Sequence, residues 1–243
     1  MASWATVVKN IKFSKKVYGR YKKMRDFEAK AVKFLEKHRT SKKGDVDVSD
    51  LRPFFPASRD VPKVINALKE GEKQITALNK SSPRWPQSDF TSEWMKIMRL
   101  AKKYGEKSRK VEEAVMKLHL LVLRNFQAIE RLESTLVAEI ERLERMKRQA
   151  GAVRDHAGAG RVAFETMAKA PWMGGTGKNA YFFSLSEGCF EISNKATFLR
   201  GLISRALSDA RRYRRTCAAR KEAIHSWLVF FQGGSGKKKR KAA

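Results

Sequence analysis

The chain has 243 residues, with 53 Lys+Arg against 25 Asp+Glu, a formal net charge of +28, and 42 % hydrophobic residues. That hydrophobic share can bury a core and excludes a globally disordered chain. The charge is concentrated: residues 1–43 hold 14 basic and 3 acidic side chains, residues 190–243 hold 14 and 3 again, and the rest carries only +6. Two ends this basic exceed what solubility asks of a domain and imply an acidic surface that they meet.

Apolar residues recur at three- and four-residue spacing almost throughout, and the alternation expected of strands is rare, so the sequence predicts an all-α fold. The first element is expected as a helix from about residue 3 to 39. Trp4, Val7, Val8, Ile11, Val17, Tyr18, Tyr21, Met24, Phe27, Ala31, Phe34 and Leu35 form one stripe with lysines opposite. Gly44 supplies a stop. Residues 44–62 read as an extended connector, because Pro53 and Pro56 disfavour helix, with Phe54 and Phe55 pinning it to the core or to a partner. A shorter helix follows at about 60–80, and Ser81-Ser82-Pro83-Arg84-Trp85-Pro86 breaks the chain.

One long central helix is expected from about 89 to 149, where there is no proline and a single glycine, Gly105. Val111, Val115, Leu118, Val122, Ile129, Leu132, Leu136, Ile140 and Leu143 approximate a heptad seam through which the helix could pair with a copy of itself. Leu118–Leu123 is apolar all round except for His119, so other helices should enclose it. The small, glycine-rich residues 150–160 read as a turn, 161–170 as a short helix, and Tyr181–Leu185 as an apolar loop. The last helix is expected over about 194–232, followed by a flexible Gly-Gly-Ser-Gly spacer and a polybasic tail. The whole reads as an elongated bundle of about five helices, one domain over 1–232 with a tail at 233–243.

No motif identifies a reaction, and neither a catalytic set nor a cofactor is predicted. Gly174-Gly175-Thr176-Gly177-Lys178-Asn179 resembles a phosphate loop but lacks its first glycine and its Ser/Thr. Asp45, Asp47 and Ser49 start like a calcium loop, yet Asp50 stands at the glycine position and Pro56 at the closing glutamate. His38, His119, His156 and His225 are too scattered for zinc, so no metal is expected. Cys189 and Cys217 give no disulfide framework and suit an intracellular reducing compartment. No apolar run reaches membrane-spanning length, and the first twenty residues make no secretory signal. They are instead acid-free, basic and amphipathic, which fits a simple basic helix or an organellar, for instance mitochondrial, import sequence, although such sequences favour Arg and this one favours Lys.

The two ends differ in kind. Arg211, Arg212, Arg214 and Arg215, with Lys237, Lys238, Lys239, Arg240 and Lys241, suit a polyanion, because arginine forks bind phosphate in pairs. The expectation is a non-enzymatic scaffold whose partner is nucleic acid, or other acidic subunits, within a larger assembly. The first helix sets Trp4, Val8 and Ile11 against Lys9, Lys12, Lys15 and Lys16, a pattern for an anionic membrane surface or a partner helix. The alternative expectation is therefore an accessory subunit of a membrane-associated, mitochondrial complex.

Overall fold

The structure is a computed structural model that describes Trp4 and residues 13–236. The described residues form five α-helices: α1 (Phe13–Lys37), α2 (Ala57–Asn79), α3 (Thr91–Tyr104), α4 (Arg109–Lys169) and α5 (Asn179–Gly236). Two 3-10 segments, Val48–Phe54 and Pro171–Gly175, complete them, and no strand occurs among them. The fold is all-α with one long central helix, as expected, but its boundaries move.

The helix predicted over 89–149 is broken at Gly105 and extended to Lys169. Gly105 has φ +84, which L side chains rarely adopt, and its N–H donates to Ala101 O at 2.8 Å to close α3. Residues 150–160, expected as a turn, are helical because their small side chains are a packing ridge. Ala150, Val153, Ala157, Gly160 and Phe164 are all buried at i, i+3, i+4 spacing. Tertiary packing of that ridge outweighs the weak helix propensity of its glycines. Residues 181–185, expected as a loop, open α5, with Phe182 and Leu185 buried. The Tyr181 hydroxyl donates to Phe54 O and Phe55 O, each at 3.0 Å. At its other end α5 continues through the predicted spacer to Gly236. Within the predicted connector, 48–54 is a 3-10 turn and α2 starts at Ala57, which places exposed Pro62 in its second turn.

By contact the chain divides into two compact units. The first comprises the chain through Ser82 and Glu141–Leu207. Phe54 is its aromatic centre, with ring centroids 5.7 Å from Phe34, 5.9 Å from Phe182 and 6.5 Å from Phe164. The predicted anchoring role of Phe54 is thus exercised on the protein's own core. Two helical glycines set how closely the helices approach. A Cβ on Gly160 would lie 3.3 Å from Cys189 Sγ and 3.7 Å from Glu28 Cβ. One on Gly188 would stand 2.5 Å from Val61 Cγ1.

The second unit comprises Pro83–Ile140 and the chain from Ser208 on. Here Val111, Leu118, Val122, Ile129 and Leu136 of α4 are buried, as are Ala210, Cys217, Ile224 and Leu228 of α5. Most of the predicted heptad seam is therefore buried within the chain, with Val115, Leu132 and Ile140 half-buried, and Cys217 Sγ donates to Ile129 O at 3.6 Å. The 118–123 segment is not enclosed all round, since Leu120 is 52 % exposed. The start of α3 is held by Asp89, whose carboxylate accepts from Thr91 N at 3.0 Å and Thr91 Oγ1 at 2.6 Å.

Two predictions follow from these contacts. Gly188→Ala should destabilise the fold by about 1–3 kcal/mol through overpacking against the stiff Val61, less a propensity gain of up to about 1 kcal/mol. Adding Val61→Ala should make the Gly188 substitution neutral or favourable, read by chemical denaturation. Gly158→Ala and Gly201→Ala, whose Cβ atoms would meet nothing within 4 Å, should instead stabilise by about 0.5–1 kcal/mol.

The second concerns Asp89. The hydrogen bonds from the Thr91 hydroxyl and N–H hold its carboxyl below the usual carboxylate value. Its contribution is present above the unfolded pKa, about 3.9, and is lost as pH falls through the lower folded value. Asp89→Ala should lower Tm near neutrality, and the gap to wild type should close as melts are repeated down to about pH 2.

Candidate functional site

The half of α5 in the second unit presents the predicted arginines because its buried line lies elsewhere on the helix. Ala210, Cys217, Ile224 and Leu228 are buried, which turns Arg211, Arg212, Arg214 and Arg215 outward, and all four are exposed. They are not equivalent. Arg212 Nη2 pairs with Asp209 Oδ1 at 2.9 Å, and its guanidinium lies 5.4 Å from the Tyr213 ring centre. Arg211 also has a partner. Arg214 and Arg215 have none among the described residues, so their charge is available. The five tail residues Lys237, Lys238, Lys239, Arg240 and Lys241 lie outside the described residues.

A clamp between segments supports this face. Arg220 lies 5.3 Å from the Trp85 ring and donates to Pro86 O at 3.1 Å and Ser88 Oγ at 3.4 Å. Trp85 in turn meets Tyr213 edge-on at 6.1 Å. Lys221 Nζ reaches Glu133 Oε2 at 2.9 Å and Glu130 Oε1 at 3.3 Å, and the Glu133 hydrogen bond raises its pKa above the usual lysine value. Arg220 and Lys221 are therefore structural cations. Arg220 is not among the predicted binding arginines, and its contact with the Pro-flanked Trp85 segment gives it a structural role.

Of the predicted first-helix contacts, Trp4 is helical and 2 % exposed, so its indole packs inside the protein. Val8, Lys9, Ile11 and Lys12 lie outside the described residues, and Lys15 and Lys16 belong to α1. A separate apolar surface went unpredicted. In the second unit Met116 is 65 % exposed and Leu120 lies one turn on, while Met95 and Met98 are exposed on α3 beside Lys96, Arg99 and Lys102.

The structure brings one set of chemistry-bearing residues together that the sequence separates. His156 Nδ1 is 3.1 Å from Glu28 Oε2, and both line a small cavity with Cys189. The arrangement resembles a nucleophile with a base and an orienting carboxylate, but the thiol is poised against it. Burial first, and the Glu28 charge second, push the Cys189 thiol up to about 12, which leaves only about one thiolate in 10⁵ at neutral pH. Cys217 is also buried, and its thiol is raised by the same desolvation. Among the described residues no group of three or more His, Cys, Asp and Glu is placed to hold a metal ion, and no helix is long and apolar enough to cross a membrane. A scan against protein-family models and searches of curated proteins and solved structures find no match.

Both cysteines should therefore resist iodoacetamide in the native protein near pH 8 and react fully once it is denatured. Rapid native labelling at Cys189, read by mass spectrometry, would show an activated thiol instead.

Proposed function

We propose that the protein is a non-enzymatic helical scaffold that docks onto a polyanion through the exposed arginines of α5, with nucleic acid in a larger assembly as the partner. The observation that carries this reading is that Arg214 and Arg215 stand exposed on a rigid helix without a counter-ion, beside Arg211 and Arg212. The net charge of +28 adds a long-range field that draws a polyanion in. The sequence carries no pattern of a base-reading module, so binding is to the phosphate backbone and is independent of sequence. Replacing Arg211, Arg212, Arg214 and Arg215 together with Gln should abolish retention on heparin. Four lost phosphate contacts should also reduce the slope of log K against log salt on duplex DNA by about 3 to 4. Unchanged retention and slope in a folded variant exclude this face.

The exposed Met95, Met98, Met116 and Leu120, among lysines and arginines, favour a second reading as an accessory subunit of a membrane-associated complex. Flotation with anionic vesicles that survives nuclease treatment and fails in Met116→Ser/Leu120→Ser would select it over the first.

A further inference from the structure

The first unit carries a second cationic site on residues that segment-by-segment charge counting does not single out. Lys147, Arg148 and Arg154 project from one side of α4 over two turns, about 10 Å of helix, and Arg200 of α5 faces them across an open cleft of about 390 Å³. The carboxylates in the cleft are Glu144 and Asp155. Asp155 is occupied, with its Oδ1 2.6 Å from Arg154 Nη2. Lys147, Arg148 and Arg200 have no ion-pair partner among the described residues. Four cations against these two carboxylates leave the cleft a net charge of +2, so its cations repel one another and are costly to leave without a ligand.

Gly151 forms part of the cleft wall. The only atom within 4 Å of a Cβ built there is Arg200 Nε, at 4.0 Å, so no close packing demands a glycine. A glycine inside a helix costs about 0.5–1 kcal/mol against alanine. A methyl group fits there, but a long or acidic side chain would reach the space beside the Arg200 guanidinium.

We propose that this cleft binds the phosphate backbone of a nucleic-acid strand. A lone carboxylate, with one charge, neutralises only part of the three free cations, whereas successive phosphates match them, and arginine pairs with phosphate oxygens bidentately. A membrane surface would need apolar anchors beside the cations, and the only apolar lining here is Gly151 and Ala152. No aromatic ring lines the cleft for base stacking, so it takes the backbone alone. The site extends the polyanion reading to the other unit and stands on different residues.

The test is made in the full chain with Arg211, Arg212, Arg214 and Arg215 already replaced by Gln, so that each reading fails separately. Binding of a labelled oligouridine of about twenty nucleotides is followed by fluorescence anisotropy between about 50 and 200 mM salt. The parent variant should still bind. Adding Lys147→Gln, Arg148→Gln and Arg200→Gln should weaken it at least about tenfold at the low-salt end and reduce the salt slope by about 2, the value for three phosphates on a single strand. Gly151→Glu should weaken it as well, while Gly151→Ala should leave affinity unchanged and the fold no less stable. Inorganic polyphosphate should compete and polyglutamate should not.

The proposal is overturned if the parent variant no longer binds. It is equally overturned if the three Gln substitutions change neither affinity nor slope in a folded protein, if polyglutamate competes as well as polyphosphate, or if the cleft residues govern capture by anionic vesicles and not by RNA. Should the triple substitution prevent folding, Arg148→Gln alone, at an exposed position, carries the same comparison.

Discussion

Four helices of the first unit meet where side chains are missing, and most of that unit follows from it. Gly160 admits Cys189 and the Glu28 stem, and Gly188 admits Val61. Interiors pack at crystal-like density, so a Cβ at 2.5 Å is not absorbed by loose space and some backbone must move. The close approach explains why glycines that look like breakers in sequence lie inside 61- and 58-residue helices. It also explains the chemistry of the small cavity. The contact that buries Cys189 strips its thiolate of solvation, so the convergence of Cys189, His156 and Glu28 yields a stable thiol beside a hydrogen-bonded His156–Glu28 pair and not a nucleophile.

The second unit is held by a different device. A heptad line on α4 meets the buried line of α5, and aromatic contacts from the Pro-flanked Trp85 segment and from Trp94 close over α5. Because that clamp uses Arg220 and the α4 carboxylates use Lys221, the rotation of α5 about its own axis is set on the buried side. Arg214 and Arg215 then point outward with no ion-pair or hydrogen-bond partner among the described residues. Rigid presentation of free arginines lowers the entropy lost when they bind.

The helical class, the heptad seam, the anchoring by Phe54 and the exposure of the α5 arginines were legible in sequence, because each rests on a periodicity that a buried helix face imposes. The breaks were less legible, since glycine carries two opposite meanings. Gly105 ends a helix through its positive φ, whereas Gly151, Gly158 and Gly160 sit inside one, and only tertiary neighbours tell the cases apart. Reading 150–160 as a turn separated Lys147 and Arg148 from Arg154, so their common face could not be seen, and Arg200 joins them only through folding. Tyr181–Leu185 failed for a related reason: an apolar run of five has no helical period until its hydroxyl partners on Phe54 and Phe55 are known.

The division between paired and unpaired cations carries the functional argument further than the net charge does. Lys169, Arg109, Arg154 and Lys221 each hold a carboxylate within hydrogen-bond distance and belong to the fold's own electrostatics. Arg214 and Arg215 in one unit, and Lys147, Arg148 and Arg200 in the other, hold none among the described residues. Exposed pairs contribute little to stability, so their main consequence is to remove those charges from the set available to a ligand. The remaining cations weaken the folded state through mutual repulsion and gain the most from a polyanion. Added salt therefore acts with opposite signs on the two equilibria: it screens the repulsion and steadies the free protein, and it removes the counter-ion release that drives phosphate binding.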